Sequence, residues 1–149
     1  MAPTVEKVAR TDAGLASELR LSVMRLRRRL AAERHPDNEL GSGAMAALGC
    51  LFRLGEQTVG ELAEAERVRP PSMSRTVRGL VDGGYVVRET CADDGRQVRV
   101  RLTEAGRATV LADRRRRDAW LALRLRELTP DDRAVLRAAA PILERLATA

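Results

Sequence analysis

The sequence predicts a mainly α-helical fold of the α+β class, in which one short β-hairpin is set between helices. Aromatic residues make up only 2% of the 149 residues, so the core must be aliphatic, which favours packed helices over an aromatic-rich β-sandwich. Apolar side chains recur at helical spacing along most of the chain and alternate in one short stretch. The length suits a single domain, residues 1–149.

The first two predicted helices lie in the N-terminal third of the chain. Apolar side chains are spaced by three and four from Leu15 to Leu30, which predicts an amphipathic helix over residues 12–34. A short apolar helix follows. Ser42 is its expected N-terminal cap, and Gly55 is expected to close it in the left-handed backbone conformation.

Two more helices are predicted in the middle of the chain. Thr58 and Glu61 have the spacing of a capping box, in which each side chain accepts a hydrogen bond from the other residue's backbone N–H. A helix therefore begins here and ends near residue 66. Proline is well tolerated in the first turn of a helix, so the next helix is predicted from Pro70 to Asp82, before a glycine pair.

A β-hairpin is predicted directly after these helices. Residues 85–90 and 97–102 both have the composition of strands, and in the second strand Val98, Val100 and Leu102 alternate with polar side chains. The connection between the strands is polar and contains an Asp-Gly pair, as expected for the tip of a hairpin.

Two long helices are predicted at the C-terminal end. Thr103 is the expected cap of the first, which extends to about residue 128, and Thr129 with Pro130 begins the second. The predicted order is thus four helices, two strands and two helices.

The terminal helices have long apolar stripes with little to pack against inside one chain. We therefore expect residues 12–35 and 103–149 to be dimerisation helices that interleave with their copies in a twofold homodimer. Residues 36–102 form the lobe between them.

The net charge of +6 favours a polyanionic partner, either nucleic acid or an anionic membrane surface. Lys7 is the only lysine, and arginine suits bidentate contact with phosphate or guanine. No apolar run approaches the ~20 residues that span a bilayer, and the N-terminus lacks the apolar stretch of a secretory signal. A cytoplasmic location without a membrane partner is expected.

The residues for catalysis or metal binding are sparse. His35 is the only histidine, and the sequence has neither a nucleophile elbow nor a glycine-rich phosphate loop. Cys50 and Cys91 lie far apart and lack the spacing of metal ligands or of a disulfide framework. Neither an enzyme nor a cofactor site is expected.

The predicted helix from Pro70 to Asp82 has two different faces. Its apolar side chains follow helical spacing, whereas Ser74, Arg75 and Arg78 lie on the opposite side. In a major groove, serine can reach bases or phosphates and arginine can pair with O6 and N7 of guanine. An ordinary solvated face is the alternative. Because a short capped helix and a turn precede it, the arrangement predicts a helix-turn-helix.

The hairpin placed directly after the helix-turn-helix predicts the wing of a winged-helix fold. At its tip, Arg96 is expected to enter the adjacent minor groove, whose negative potential attracts arginine when the groove is narrow. Asp94 is expected to hold that guanidinium in place. The alternative is a turn-forming Asp-Gly pair beside a solvated arginine.

The chain resembles the MarR family of regulators over nearly its whole length. Three segments are similar: TVGELA at residues 58–63, PSMSR with LVDGGYV between residues 71 and 86, and DGR followed by VRLTEAG between residues 94 and 106. The last, an Asp-x-Arg wing that continues into Leu-Thr-x-x-Gly, is the most specific to the family.

The resemblance implies a triangular homodimer whose two recognition helices enter successive major grooves of a pseudo-palindromic operator, usually to repress nearby genes. It also implies that DNA is released when a small aromatic or phenolic effector binds between the dimerisation helices and the DNA-binding lobe. Members that sense peroxide use a cysteine in the first helix, which this chain lacks. The resemblance assigns six residues to DNA binding: Ser72, Ser74, Arg75, Arg78, Asp94 and Arg96.

The main alternative function is a winged-helix module that binds another protein without specific DNA binding. Such a surface should expose aromatic or aliphatic anchors, which the predicted recognition face does not offer. The run from Arg114 to Arg117 spans just over one helical turn, so its members must point in several directions. We expect them to be solvated or to form interchain salt bridges, and we expect no redox role for Cys91.

Overall fold

The computed structural model describes residues 11–93 and 95–149, and the predicted mainly α-helical class and order of helices are confirmed. Within this part of the chain, each helix is too short or too polar to traverse a lipid bilayer. The helices are α1 (Asp12–Ala32), α2 (Ser42–Leu54), α3 (Val59–Ala65), α4 (Pro70–Asp82), α5 (Glu104–Arg126) and α6 (Pro130–Thr148), and the strands are β1 (Gln57–Thr58), β2 (Val86–Thr90) and β3 (Val98–Leu102).

The described chain divides into two compact units. We call His35–Arg115 the winged lobe. The other, which we call the terminal helical unit, comprises the described residues up to Arg34 together with Arg116–Ala149. Helix α5 crosses the boundary between the two units.

The winged lobe is built on an aliphatic core. Side chains of α2, α3, α4 and the sheet meet there, while Phe52 and Tyr85 are half-buried at its edge. Burial of one large aliphatic side chain contributes about 1.5–3 kcal/mol, so this cluster supplies most of the lobe's stability. Its largest fully buried side chains are Leu48, Cys50, Leu62, Val77, Leu80, Val86 and Val100.

The helix boundaries follow local hydrogen bonds. The predicted capping box is present, because Thr58 N donates to Glu61 Oε2 at 2.8 Å and Glu61 N donates to Thr58 Oγ1 at 3.1 Å. Gly55 closes α2 with a φ of 81°, as predicted. The prediction that Ser42 caps α2 is wrong: Gly41 is the cap, since Ser42 already has helical backbone as the first residue of the helix.

The sheet has three antiparallel strands in the order β1-β3-β2. The predicted hairpin is present and pairs Val86 with Leu102 and Glu89 with Arg99. Strand β1, which the sequence pattern does not predict, pairs Thr58 with Arg99 on the other side of β3. The start of α3 is therefore joined directly to the hairpin.

The junction between the sheet and α5 is tightly packed. The Thr103 hydroxyl donates to the Gly84 carbonyl at 2.6 Å and accepts from Gly106 N at 3.1 Å, so it caps α5 as predicted. A Cβ atom on Gly106 would lie 2.0 Å from the Tyr85 carbonyl oxygen. The end of the recognition segment and the start of α5 are thereby held together.

The terminal helical unit leaves many of its large apolar side chains exposed in the single chain. Neither α1 nor α6 contains a buried residue. Within this unit, the Arg29 guanidinium lies 5.1 Å from the centre of the Trp120 ring, a cation–π contact. The large exposed side chains of α1 and α6 are Leu15, Leu19, Leu21, Val23, Met24, Leu26, Val135, Leu136, Ile142, Leu143 and Leu146.

Candidate nucleic-acid interface

Helix α4 is fixed in one rotational setting by its apolar face. Arg69 precedes it in extended backbone, and two prolines occupy the first turn, where the missing N–H groups have no intrahelical partner to lose. Met73, Val77 and Leu80, spaced by four and three, are all at least 97% buried in the core. The opposite face of α4 must therefore point away from the lobe.

The predicted recognition residues lie on α4 as follows. Ser72, Arg75 and Arg78 are exposed, and Ser74 is half-buried. Arg75 and Arg78 are three residues apart on a helix, which brings their Cβ atoms within about 6 Å of each other. The face thus presents two guanidinium groups flanked by short hydroxyls, a set of donors that matches phosphates and the guanine edge.

The turn between α3 and α4 contains a backbone conformation that the sequence does not reveal. Arg67 has a φ of 52°, which is uncommon for a residue with a Cβ atom. Its N–H donates to the Glu64 carbonyl at 3.1 Å, and Val68 N donates to the Ala63 carbonyl at 3.0 Å. These bonds set the direction in which the chain leaves α3 and enters α4.

The wing extends from this helix pair as β2, a short tip and β3. Cys91 N donates to the Gln97 carbonyl at 2.8 Å and closes the tip. Arg96 is exposed there, next to Gly95. Asp94 lies outside the described residues, so its role as the partner of Arg96 stays a prediction.

Two arginines of β3 form ion pairs that the sequence pattern does not identify. Arg101 contacts Glu89 across the hairpin through two bonds of 2.5 and 3.3 Å. The hydrogen bond from Arg101 and its positive charge hold the pKa of Glu89 below its usual value. Arg99 instead contacts the helix-turn-helix, with Nη1 at 3.8 Å from Glu61 Oε2.

Positive charge is concentrated where α4 and the hairpin lie. Residues 67–101 contain eight arginines and four acidic residues, whereas residues 35–66 contain one arginine and six acidic residues. The winged lobe as a whole contains 12 arginines and 12 acidic residues, so it is neutral and its positive charge predominates in the recognition segment, the pattern expected of a surface that approaches a polyanion.

Other candidate groups have structural explanations or no ligand geometry. The Arg114 guanidinium lies 4.4 Å from the centre of the Phe52 ring, so this member of the arginine run packs on α2. Burial raises the pKa of the Cys50 thiol. Within residues 11–93 and 95–149, no group of three or more histidine, cysteine or acidic side chains is placed to hold a metal ion.

Comparison with known proteins identifies the class of this chain. The model of the MarR family matches residues 42–98. An HTH-type transcriptional regulator of Mycobacterium leprae is 46% identical over 136 residues, which cover 91% of this chain and 94% of the relative. This chain belongs to the MarR family of transcriptional regulators.

Solved structures agree with that assignment. A protein of Pseudomonas aeruginosa described as a transcriptional regulator is 35% identical, with a TM-score of 0.79 over 93% of this chain and 96% of that one. A MarR family protein of Bacillus stearothermophilus, 24% identical, has the same fold with a TM-score of 0.81 over 94% and 97% of the two chains. The predicted winged-helix fold is confirmed.

Proposed function

We propose that this chain binds a pseudo-palindromic operator as a homodimer and represses transcription in the cytoplasm. Helix α4 enters the major groove with Ser72, Ser74, Arg75 and Arg78, and the wing reaches the minor groove with Arg96, held by Asp94. The observation that supports this most directly is that burial of one face of α4 leaves Arg75 and Arg78 exposed on the other, beside a basic wing.

A homodimer is supported by the exposed apolar side chains of the terminal helical unit. Leu15 and Leu19 on α1 and Leu143 on α6 are 37–40% exposed in the single chain, and Leu146 is 63% exposed. A monomer rarely leaves so many large apolar side chains in water, whereas a second copy would cover them. Two recognition helices related by a twofold axis would contact half-sites about one helical turn apart.

The alternative, a module that binds another protein, is less well supported by the exposed face of α4. Interface anchors are typically aromatic or aliphatic side chains in the centre of a patch. The exposed positions on α4 are instead Ser72, Arg75 and Arg78. These residues favour a nucleic-acid partner.

The test is recovery of genomic fragments by the purified protein, followed by titration of the recovered duplex. Arg75→Ala and Arg78→Ala should each weaken specific binding by about 1–3 kcal/mol while the melting temperature changes little. Arg53→Ala is the matched control, since it removes an equally exposed arginine from α2. Equal losses in all three variants, or melting temperatures that fall in step with affinity, would contradict the assignment.

We further propose that a small aromatic or phenolic effector controls DNA binding. A cavity of about 380 Å³ in the winged lobe is lined by the Phe52 ring and by two arginines and two glutamates, Arg101, Arg107, Glu56 and Glu104, so it offers an aromatic surface and two guanidinium groups in a lining of balanced charge. A second cavity of about 300 Å³ also has two acidic residues in its lining but no arginine. Salicylate should lower operator affinity. If a panel of aromatic acids leaves affinity unchanged, control by such effectors is absent.

A further inference from the structure

Arg99 joins the wing to the helix-turn-helix, and we propose that it is a positioning residue that sets the angle at which the wing meets DNA. The inference rests on the proposed function, because it concerns how that DNA surface is held together. Arg99 itself is not assigned a DNA contact. It acts through the hairpin that presents Arg96.

The backbone connection at this place is short. Strand β3 pairs with β1 over two residues only, Gln57 with Val100 and Thr58 with Arg99. Strand β1 leads directly into α3, so this pairing is a direct backbone link between the hairpin and the first helix of the helix-turn-helix. Val86 and Val100 anchor the hairpin in the core, and a side chain that joins β3 to α3 would add to the restraint that this anchor and the short pairing place on the angle of the hairpin.

The Arg99 side chain spans that gap. Its Nη1 lies 3.8 Å from Glu61 Oε2 and donates to the Glu56 carbonyl at 3.4 Å. One guanidinium on β3 therefore contacts both the segment before β1 and the first turn of α3. The Arg99 side chain is 30% exposed and that of Glu61 is 47% exposed, so water screens the pair only in part.

Glu61 is a fixed acceptor rather than a mobile one. The same Oε2 that faces Arg99 accepts the 2.8 Å bond from Thr58 N, which is one half of the capping box. The carboxylate is thus oriented by the helix start before Arg99 reaches it. Less side-chain conformational entropy is therefore lost when the ion pair forms. The contact then holds β3 in a defined position relative to α3.

Arg101 provides the contrast. It is two residues further along β3, but its partner Glu89 belongs to the same hairpin. The pair between Arg101 and Glu89 holds the two strands together. Arg101 is also attracted by the charge of Glu56, but the hydrogen bond to the Glu56 carbonyl and the contact with Glu61 are made by Arg99. Removal of either arginine takes one positive charge from β3, and only removal of Arg99 breaks the contact with the helix-turn-helix.

The experiment measures the affinity of the full-length protein for the operator it recovers from the genome. The operator is made in two forms, with A·T-rich or G·C-rich sequence where the wing lies, because a narrow A·T-rich minor groove favours an inserted arginine. The variants are Arg99→Ala, Glu61→Gln, Arg101→Ala, Arg96→Ala and the double variant of Arg99 and Arg96. Glutamine at position 61 keeps an acceptor for the capping box and removes the charge that Arg99 contacts.

We expect Arg99→Ala and Glu61→Gln each to weaken binding to the A·T-rich form about two- to fivefold, and Arg101→Ala to weaken it less than about twofold. Arg99→Ala should also reduce the preference for the A·T-rich form. In the Arg96→Ala background, removal of Arg99 should have no further effect, because the side chain that it positions is already absent.

Two results would overturn this inference without contradicting the proposed function. If the losses of affinity caused by Arg99→Ala and Arg96→Ala multiply in the double variant, Arg99 makes a separate DNA contact. If Arg99→Ala and Arg101→Ala weaken binding equally, the effect comes from the loss of positive charge only. Thermal melting of each variant identifies losses of affinity that come from unfolding. Glu61→Gln tests the same contact by changing the partner of Arg99. If the wild-type protein binds no duplex, or if Arg75→Ala and Arg96→Ala bind as it does, the proposed function fails as well.

Discussion

At the scale of single residues, the backbone conformation of Arg67 shapes the turn between α3 and α4. Arg67 adopts left-handed backbone there, where a residue with a Cβ atom is disfavoured by about 1–2 kcal/mol. Glycine adopts this conformation at no steric cost. The strain at Arg67 therefore lowers the free energy of unfolding, and a glycine at this position would relieve it.

Arg67→Gly should raise the free energy of unfolding by about 0.5–1 kcal/mol, because the relief of strain exceeds the added flexibility of the unfolded chain. Urea denaturation at constant protein concentration measures this free energy of unfolding. Arg67→Ala is the matched control: it removes the guanidinium but keeps the Cβ atom, and it should give no gain. A gain of the same size from alanine would show that charge, and not backbone strain, is the cause.

A second residue-scale prediction concerns Gly106. A Cβ atom at this position would lie 2.0 Å from a backbone oxygen of Tyr85, which cannot move without disturbing the sheet. Gly106→Ala should lower the free energy of unfolding by about 2 kcal/mol or more. Gly49→Ala, in open space on α2, should instead stabilise by about 0.5–1 kcal/mol. Similar melting temperatures for both variants would contradict this account of the junction.

At the scale of elements, the capping box holds the start of α3. Thr58→Ala should destabilise the protein by about 1 kcal/mol, because Glu61 N loses its acceptor. Thr58→Ser keeps the hydroxyl and should remain within about 0.5 kcal/mol of wild type. Chemical denaturation of the three proteins tests this directly, and an equal loss from serine would assign the effect to the lost methyl group.

The sequence predicts elements well where local chemistry defines them. Helix α4 has its predicted bounds, from Pro70 to Asp82, because prolines mark its start and glycines follow its end. The capping box that begins α3 is defined just as locally. The role expected of Ser42 is wrong because several small residues near it could serve as a cap, and local sequence does not say which of them keeps extended backbone.

Features that depend on distant residues were not predictable. Strand β1 has two residues, too few for a periodic pattern, and exists because β3 lies beside it. The contact of Arg99 with Glu61 joins residues 38 positions apart; the sequence identifies Glu61 as a capping residue but does not distinguish Arg99 from the other arginines of the hairpin. At the candidate site, sequence located the exposed arginines of α4 but not the partial burial of Ser74, which depends on packing around the helix.

At the scale of the whole molecule, stability should depend on self-association. Leu143→Arg on α6 should shift the equilibrium from dimer toward monomer by at least about tenfold, because a charge replaces an apolar side chain in the proposed interface. Glu144→Arg, also exposed and adjacent, is the control for added charge. Sedimentation equilibrium measures the dissociation constant, and a wild-type protein that is monomeric at micromolar concentration would contradict the dimer.

The uneven distribution of charge within the winged lobe has a kinetic consequence. Residues 67–101 carry a net charge of +4 and residues 35–66 a net charge of −5, so the recognition segment is positive although the lobe as a whole is neutral. In the field of a duplex we expect this positive segment to be attracted toward the DNA before contact, which raises the rate of productive encounters. The association rate constant should accordingly fall steeply as added salt shortens the Debye length.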